Sequence, residues 1–272
     1  MTALRWYNGH IVGAADAVIP LTSALVTGGE GWFETLRIES GRAMFAARHW
    51  ERLAAGVGRC GADAAAAIEL ASAAFDHVRP SLGPVASGRL RLLLIPPTDD
   101  GHRWDWAAEL VAYEPSAELL ARGASVVCAP FEHPGLGWLG KSLSYHWSRV
   151  ALREARSRGA DEALMLRDDE VVEGATSALL WRTAGTWHLP RRAGALDSVS
   201  VSVLADHGWR FEQAPATLET LRQADAVVLS SALRLAWPVR MIGGVAREAR
   251  PEVAASVRDA LLEAHRADSA GG

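Results

Sequence analysis

The spacing of hydrophobic positions changes several times along this 272-residue chain, and each change marks an element. Residues 4–12 hold two short alternating runs about Asn8-Gly9, a dipeptide suited to the left-handed turn of a hairpin. A second hairpin is expected after the cluster Gly28-Gly29-Glu30-Gly31, with arms at 32–39 and 43–45 joined at Ser40-Gly41. Residues 47–59 switch to helical spacing, with Trp50, Leu53, Ala54 and Val57 on one side. An alanine-rich helix over 62–78 should stop before Pro80, which cannot continue it. Residues 89–95 and 106–113 read as strands, separated by Pro96-Pro97 and the polar turn 98–101.

The polar stretch 114–123, which contains Pro115, reads as a linker between a domain at 1–116 and another at 122–272. Beyond it come a β-rich run over 125–131, a glycine-rich loop and a helix over 142–158. Leu143, Trp147, Val150, Ala151 and Glu154 carry that helix's period, and Gly159 suits its C-terminal cap. Strands follow at 162–167, 170–172 and 178–182, punctuated by Asp168-Asp169 and Gly174. Short helices at 199–207 and 218–223, a strand at 226–229 and a terminal helix over 252–267 complete the chain. No internal repeat is visible. The pattern predicts an α+β protein of two domains, strand-rich first and mixed second.

Composition narrows the function. Apolar residues make up 49% and charged residues 22%, which is ample for a packed core. The net charge of -4 and the lack of a long basic run argue against nucleic-acid or anionic-membrane partners. Cys60 and Cys128 alone make neither a zinc site nor a disulfide scaffold, so a reducing cytoplasm is expected. Residues 1–7 lack an apolar signal core, and no apolar run approaches the roughly 18 residues that span a bilayer.

The chemistry concentrates at Gly135-Leu136-Gly137-Trp138-Leu139-Gly140-Lys141-Ser142. Gly135, Gly140, Lys141 and Ser142 fit the phosphate-loop pattern, and Gly135, Gly137 and Gly140 fit the dinucleotide pattern. Lys141 can also be read as an amine that condenses with an aldehyde cofactor. A phosphate loop requires a tight strand-to-helix connection and a second acidic strand end. Here Glu132-His133-Pro134 intervene, and Asp168 lies in a turn. A dinucleotide site needs an acid after a second strand, whereas Asp161 precedes one.

Several ordered motifs favour the third reading. Lys141-Ser142-Leu143-Ser144-Tyr145, residues 158–164 (Arg-Gly-Ala-Asp-Glu-Ala-Leu) and residues 171–180 (Val-Val-Glu-Gly-Ala-Thr-Ser-Ala-Leu-Leu) resemble the fold-type IV, pyridoxal-phosphate-dependent aminotransferases. Gly28 to Arg37 resembles that family's G-D-G-x-F-E-T-x-R hairpin, and His49-Trp50-Glu51-Arg52-Leu53 its H-x-x-R-L helix. Ser230-Ser231-Ala232 with Pro238-Val239 resembles its last cofactor loop. The likeness spans residues 5–245. It implies a smaller N-terminal α/β domain, a larger C-terminal mixed domain and pyridoxal 5'-phosphate at their interface.

The resemblance assigns Lys141 to hold the cofactor and move the substrate's α-proton, and Glu173 to face the ring nitrogen. Arg52 matches the phosphate-binding arginine, whose fork suits that group. Backbone N–H groups at Val199-Ser200 and the turn Ser231-Ala232 would complete the phosphate cradle. Phe33, Glu34 and Thr35 fall on the hairpin that lines the substrate. His102 and Arg103 are candidates for its carboxylate, where relatives carry Thr-Arg-Gly and a later basic residue. Within the family the chain is most similar to 4-amino-4-deoxychorismate lyases, which make 4-aminobenzoate and pyruvate. The alternative is transamination of a D- or branched-chain amino acid. A homodimer acting on a small amino-acid-like molecule is implied. The remaining rivals are a P-loop nucleotide-binding protein and a relative that keeps the fold without catalysis.

Overall fold

A computed structural model describes residues 3–16, 19–97, 103–191 and 194–270. The chain separates into two compact units. The first runs to Glu114 and also takes Leu139–Tyr145, and the second holds Pro115–Trp138 and everything from His146.

The first unit contains β1 (Leu4–Tyr7), β2 (His10–Ile11), α1 (Ala24–Gly28), β3 (Trp32–Glu39), β4 (Arg42–Ala43), α2 (Ala46–Arg59), α3 (Ala64–Val78), β5 (Ser87–Ile95) and β6 (Asp105–Ala112). Its strands form one antiparallel sheet in the order β2-β1-β6-β5-β3-β4. Both expected hairpins are present, and Ser40 and Gly41 turn the second with positive φ of 50° and 78°. Along β5, Leu90, Leu92 and Leu94 point into the core while Arg89, Arg91 and Leu93 take the other face. Trp50, Leu53 and Val57 of α2 and Ala67, Ala71 and Ala74 of α3 pack on the leucine face. Small side chains let α3 lie close, and Asp63 caps it by accepting from the amides of Ala65 and Ala66.

The second unit contains α4 (Ala117–Arg122), β7 (Ala124–Cys128), α5 (His146–Ser157), β8 (Glu162–Arg167), β9 (Glu170–Gly174), β10 (Ala178–Thr183), β11 (Thr186–Pro190), α6 (Val199–Asp206), β12 (Phe211–Ala214), α7 (Leu218–Gln223), β13 (Ala226–Ser230), β14 (Trp237–Ile242), β15 (Val245–Ala246) and α8 (Pro251–Ala270). The sheet runs β12-β11-β10-β13-β14-β7-β8-β9, with β15 beside β14. β7 is parallel to β14 and β8, and β11 to β12, while the other pairs are antiparallel. One face is filled by residues such as Leu164, Trp181, Val227 and Trp237. Ala151 and Ala155 of α5 cover Val127, Ala163 and Met165 on the other.

One expectation needs correction. The helix expected from Ser142 starts at His146, because residues 141–143 pair with the edge of β3 instead of coiling. The phosphate-loop reading requires a helix opening at Lys141-Ser142, and none opens there. Residues 136–139 form a short 3₁₀ turn. Of the described residues, no helix is long and apolar enough to cross a membrane, and no cluster suits a metal ion.

Candidate active site

Lys141 is fixed by strand pairing. The amide of Phe33 donates to its carbonyl at 2.9 Å, and the amide of Leu143 donates to Gly31 at 2.8 Å. Trp32 and Ser142 form the bridge between these bonds, and Trp32 Nε1 donates to the carbonyl of Leu139 at 3.0 Å. Gly140 enters the segment with φ of +74°, and a Cβ there would lie 2.7 Å from the Cα of Gly56. Only a pair of glycines permits that approach of loop to helix. The lysine's Nζ sits 4.7 Å from the Phe33 ring centre and 4.9 Å from that of Tyr145. The two rings meet edge to face at 5.6 Å.

A second cation reaches the same aromatic ring. The guanidinium of Arg91 lies 4.2 Å from the centre of Phe33, and in the β3–β5 register Arg91 stands opposite Thr35. Sequence reading missed Arg91 and pointed to the loop after the strand. The signal available was its alternation with Leu90 and Leu92, which sets it on the face of Phe33 and Thr35. Arg103 is exposed, and His102 lies outside the described residues.

Behind β3 sits a buried charged cluster. Glu34 accepts from Arg52 Nε at 2.8 Å and Nη2 at 2.5 Å, and from His49 Nδ1 at 2.7 Å. Burial raises the Glu34 pKa, but the Arg52 charge and then His49 outweigh it and bring it down to about 2. Burial lowers the pKa of His49, and the Arg52 and Lys141 charges add to this against the pull of Glu34. Glu34, expected on the hairpin that lines the substrate, faces Arg52 and His49. The residue is wholly buried, and both carboxylate oxygens are taken up in holding Arg52 and His49. Arg52 is tied to Glu34 through two nitrogens.

In the second unit Glu173 is the penultimate residue of β9, 6% exposed. Its Oε1 accepts from His133 Nε2 at 3.0 Å and its Oε2 from the amide of Leu196 at 3.1 Å. Ser198 caps α6 by accepting from the Val201 amide, which leaves the amides of Val199 and Ser200 in the first turn without intrahelical partners. Ser231 heads a turn in which its carbonyl accepts from Leu235 and its hydroxyl from the Arg234 amide, with Ala232 between. Ser177 Oγ is buried with no hydrogen-bond partner.

Taken unit by unit, the donors suit a phosphorylated aldehyde cofactor with a basic ring nitrogen. The first unit offers an amine for its aldehyde, and the second offers a buried carboxylate, a buried hydroxyl and a helix N-terminus of the kinds that its nitrogen, polar substituent and phosphate need. The sequence supports this independently, for residues 31–242 match the family model of the class IV amino-transferases. The chain belongs to that family, whose members work with pyridoxal 5'-phosphate. Its fold is similar to that of a hypothetical aminotransferase from Mycobacterium tuberculosis, at TM-score 0.83 and 21% identity over 98% of this chain and all (100%) of that one. A fold IV-transaminase from Curtobacterium pusillum gives 0.80 and 23% over 98% of each chain. A branched-chain aminotransferase from Thermoproteus uzoniensis, solved with norvaline, gives 0.78 and 22% over 96% and 93%. No curated protein matches the sequence.

Proposed function

We propose that this protein is a 4-amino-4-deoxychorismate lyase, releasing 4-aminobenzoate and pyruvate. The observation that supports it is the grouping of Lys141, Phe33 and Arg91, an amine and a guanidinium over one aromatic ring. That grouping suits an unsaturated ring bearing an amine and carboxylates. Lys141 would hold the cofactor, Glu173 would pair with its ring nitrogen, and Arg52, the amides of Val199 and Ser200 and the Ser231-Ala232 turn would take its phosphate. When bound, pyridoxal 5'-phosphate supplies an electron sink conjugated to the amino-bearing carbon of the substrate.

The remaining work falls to side chains. Lys141 Nζ removes the proton from that carbon, and the electron pair aromatises the ring as the carbon–oxygen bond to the three-carbon side group breaks. Lys141 then returns the proton to the departing enol's terminal carbon, which leaves as pyruvate. Phe33 and Tyr145 shield the amine from water, and Arg91 with Thr35 orients a carboxylate. Arg103, and His102 beyond the described segment, would meet a more distant anionic group. Two copies would associate in the cytoplasm.

A second reading, transamination of a D- or branched-chain amino acid, is favoured by the solved relatives, which are described as aminotransferases. Incubation with 4-amino-4-deoxychorismate, and separately with an amino acid plus 2-oxoglutarate, distinguishes the two. Formation of 4-aminobenzoate without an amino acceptor is expected. Its absence alongside 2-oxo acid formation would sink the lyase reading. Lys141→Ala should abolish either activity together with the cofactor's visible absorbance band.

A further inference from the structure

Among the described residues, the carboxylate proposed to meet the cofactor already has a side-chain partner, and that partner is a histidine with both ring nitrogens engaged. His133 is 2% exposed and precedes the glycine-rich loop. Its Nδ1 accepts from the amide of Gly135 at 3.0 Å. An amide N–H can only donate, so Nδ1 carries a lone pair and the ring's single proton sits on Nε2. That proton points at Glu173 Oε1, 3.0 Å away. The edge of Trp147 closes the site, with ring centres 5.1 Å apart and planes at 73°. Glu173 Oε2 is held separately by the Leu196 amide, and the Gly137 amide donates to Gly194. The loops at 133–137 and 194–198 are thus both tied in around this carboxylate.

We propose that His133 is the positioning residue for Glu173. As a neutral donor it fixes the carboxylate without neutralising it, so the full negative charge remains for a protonated ring nitrogen. A lysine or arginine in its place would form an ion pair that competes for the same oxygens. The Gly135 amide sets the tautomer, which gives the first residue of the glycine-rich loop a task apart from turning the chain. This inference rests on the reading of Glu173 given above.

The test uses the full-length protein and measures cofactor dissociation and the visible spectrum as well as turnover. His133→Phe keeps a flat ring against Trp147 and removes the donor. Pyridoxal 5'-phosphate should then bind roughly tenfold more weakly, the loss of one hydrogen bond to a charged group, with a shifted visible band. His133→Gln keeps one donor and one acceptor and should restore binding to within about twofold. In a Glu173→Gln background, His133→Phe should add no further loss. If His133→Phe binds and absorbs as the wild type does while Glu173→Gln is impaired, this proposal is overturned and the Glu173 reading stands. An unaltered Glu173→Gln overturns the Glu173 reading itself. Should His133→Phe fail to fold, ¹⁵N NMR of histidine-labelled wild-type protein still decides. A ring with bare Nδ1 and protonated Nε2, missing from His133→Gln, is expected, and a proton on Nδ1 refutes the proposal.

Discussion

Two glutamates, each 0% exposed, meet opposite fates in the two units of this chain. Glu34 is set among a guanidinium and an imidazole, and its pKa falls to about 2 although burial alone would raise it. Glu162 lies at the start of β8, where burial raises its pKa against weaker opposing influences. The Thr176 hydroxyl donates to it at 2.6 Å, the Thr176 amide at 3.1 Å, and the Arg234 guanidinium stands 4.0 Å away. Depth is equal, so the partners decide the charge. One carboxylate works as an anion that holds Arg52, and the other as a hydrogen-bonding cap on the turn after Glu173.

The largest effect should come from the charged member. Glu34→Gln leaves the Arg52 guanidinium, only 11% exposed, without its buried counter-charge. Unfolding by urea at neutral pH should show a loss of about 3–5 kcal/mol, the usual cost of breaking one side of a buried pair. The sign with pH follows from the depressed pKa. The advantage of wild type over Glu34→Gln should be complete above the ordinary value of 4.5 and should vanish as pH falls towards about 2. A variant as stable as the wild type at pH 7 would erase the contrast between the two glutamates.

Gly56, one helical turn after Arg52 on α2, tests whether the same region also positions Lys141. A Cβ there would sit 2.9 Å from both the Cα of Gly140 and the carbonyl oxygen of Leu139. Both are backbone atoms, so the loop or the helix must shift. Gly56→Ala should cost about 1–3 kcal/mol through overpacking and should weaken cofactor loading more than its stability loss predicts. The reverse result, lower stability with normal loading, would make the glycine contact purely structural.

The elements that sequence reading found easily are those with strong local signals. Asn8-Gly9 and Ser40-Gly41 turn hairpins, and alternation shows β5. What it missed depends on tertiary pairing. Residues 142–145 have helical spacing, but the open edge of β3 captures the first of them as a strand. β14 opens with Trp237-Pro238, and a proline discourages a strand assignment although Pro238 pairs with Val228 here. β12 is a four-residue strand of mostly exposed or half-buried side chains, paired only to β11, so alternation had little to show. His133 and Arg91 each lack a motif, and their significance appears only when Glu173 and Phe33 are brought beside them.

The smallest predicted effect concerns Glu162, and its sign is the sharpest check on the contrast. A carboxylic acid whose folded pKa is raised contributes stability at low pH and loses it as pH rises through the folded value. Glu162→Gln mimics the protonated acid, with one oxygen to accept from the Thr176 amide and an amide group to donate to its hydroxyl. The two proteins should be equally stable at pH 4, and above that the glutamine variant should become the more stable. Chemical denaturation of both proteins from pH 4 to pH 8 measures the difference directly. A wild type that gains on the variant as pH rises would mean that Arg234 captures an ionised Glu162 despite the 4.0 Å gap. Partner distance would then matter less than partner charge, and the two glutamates would differ in degree and not in kind.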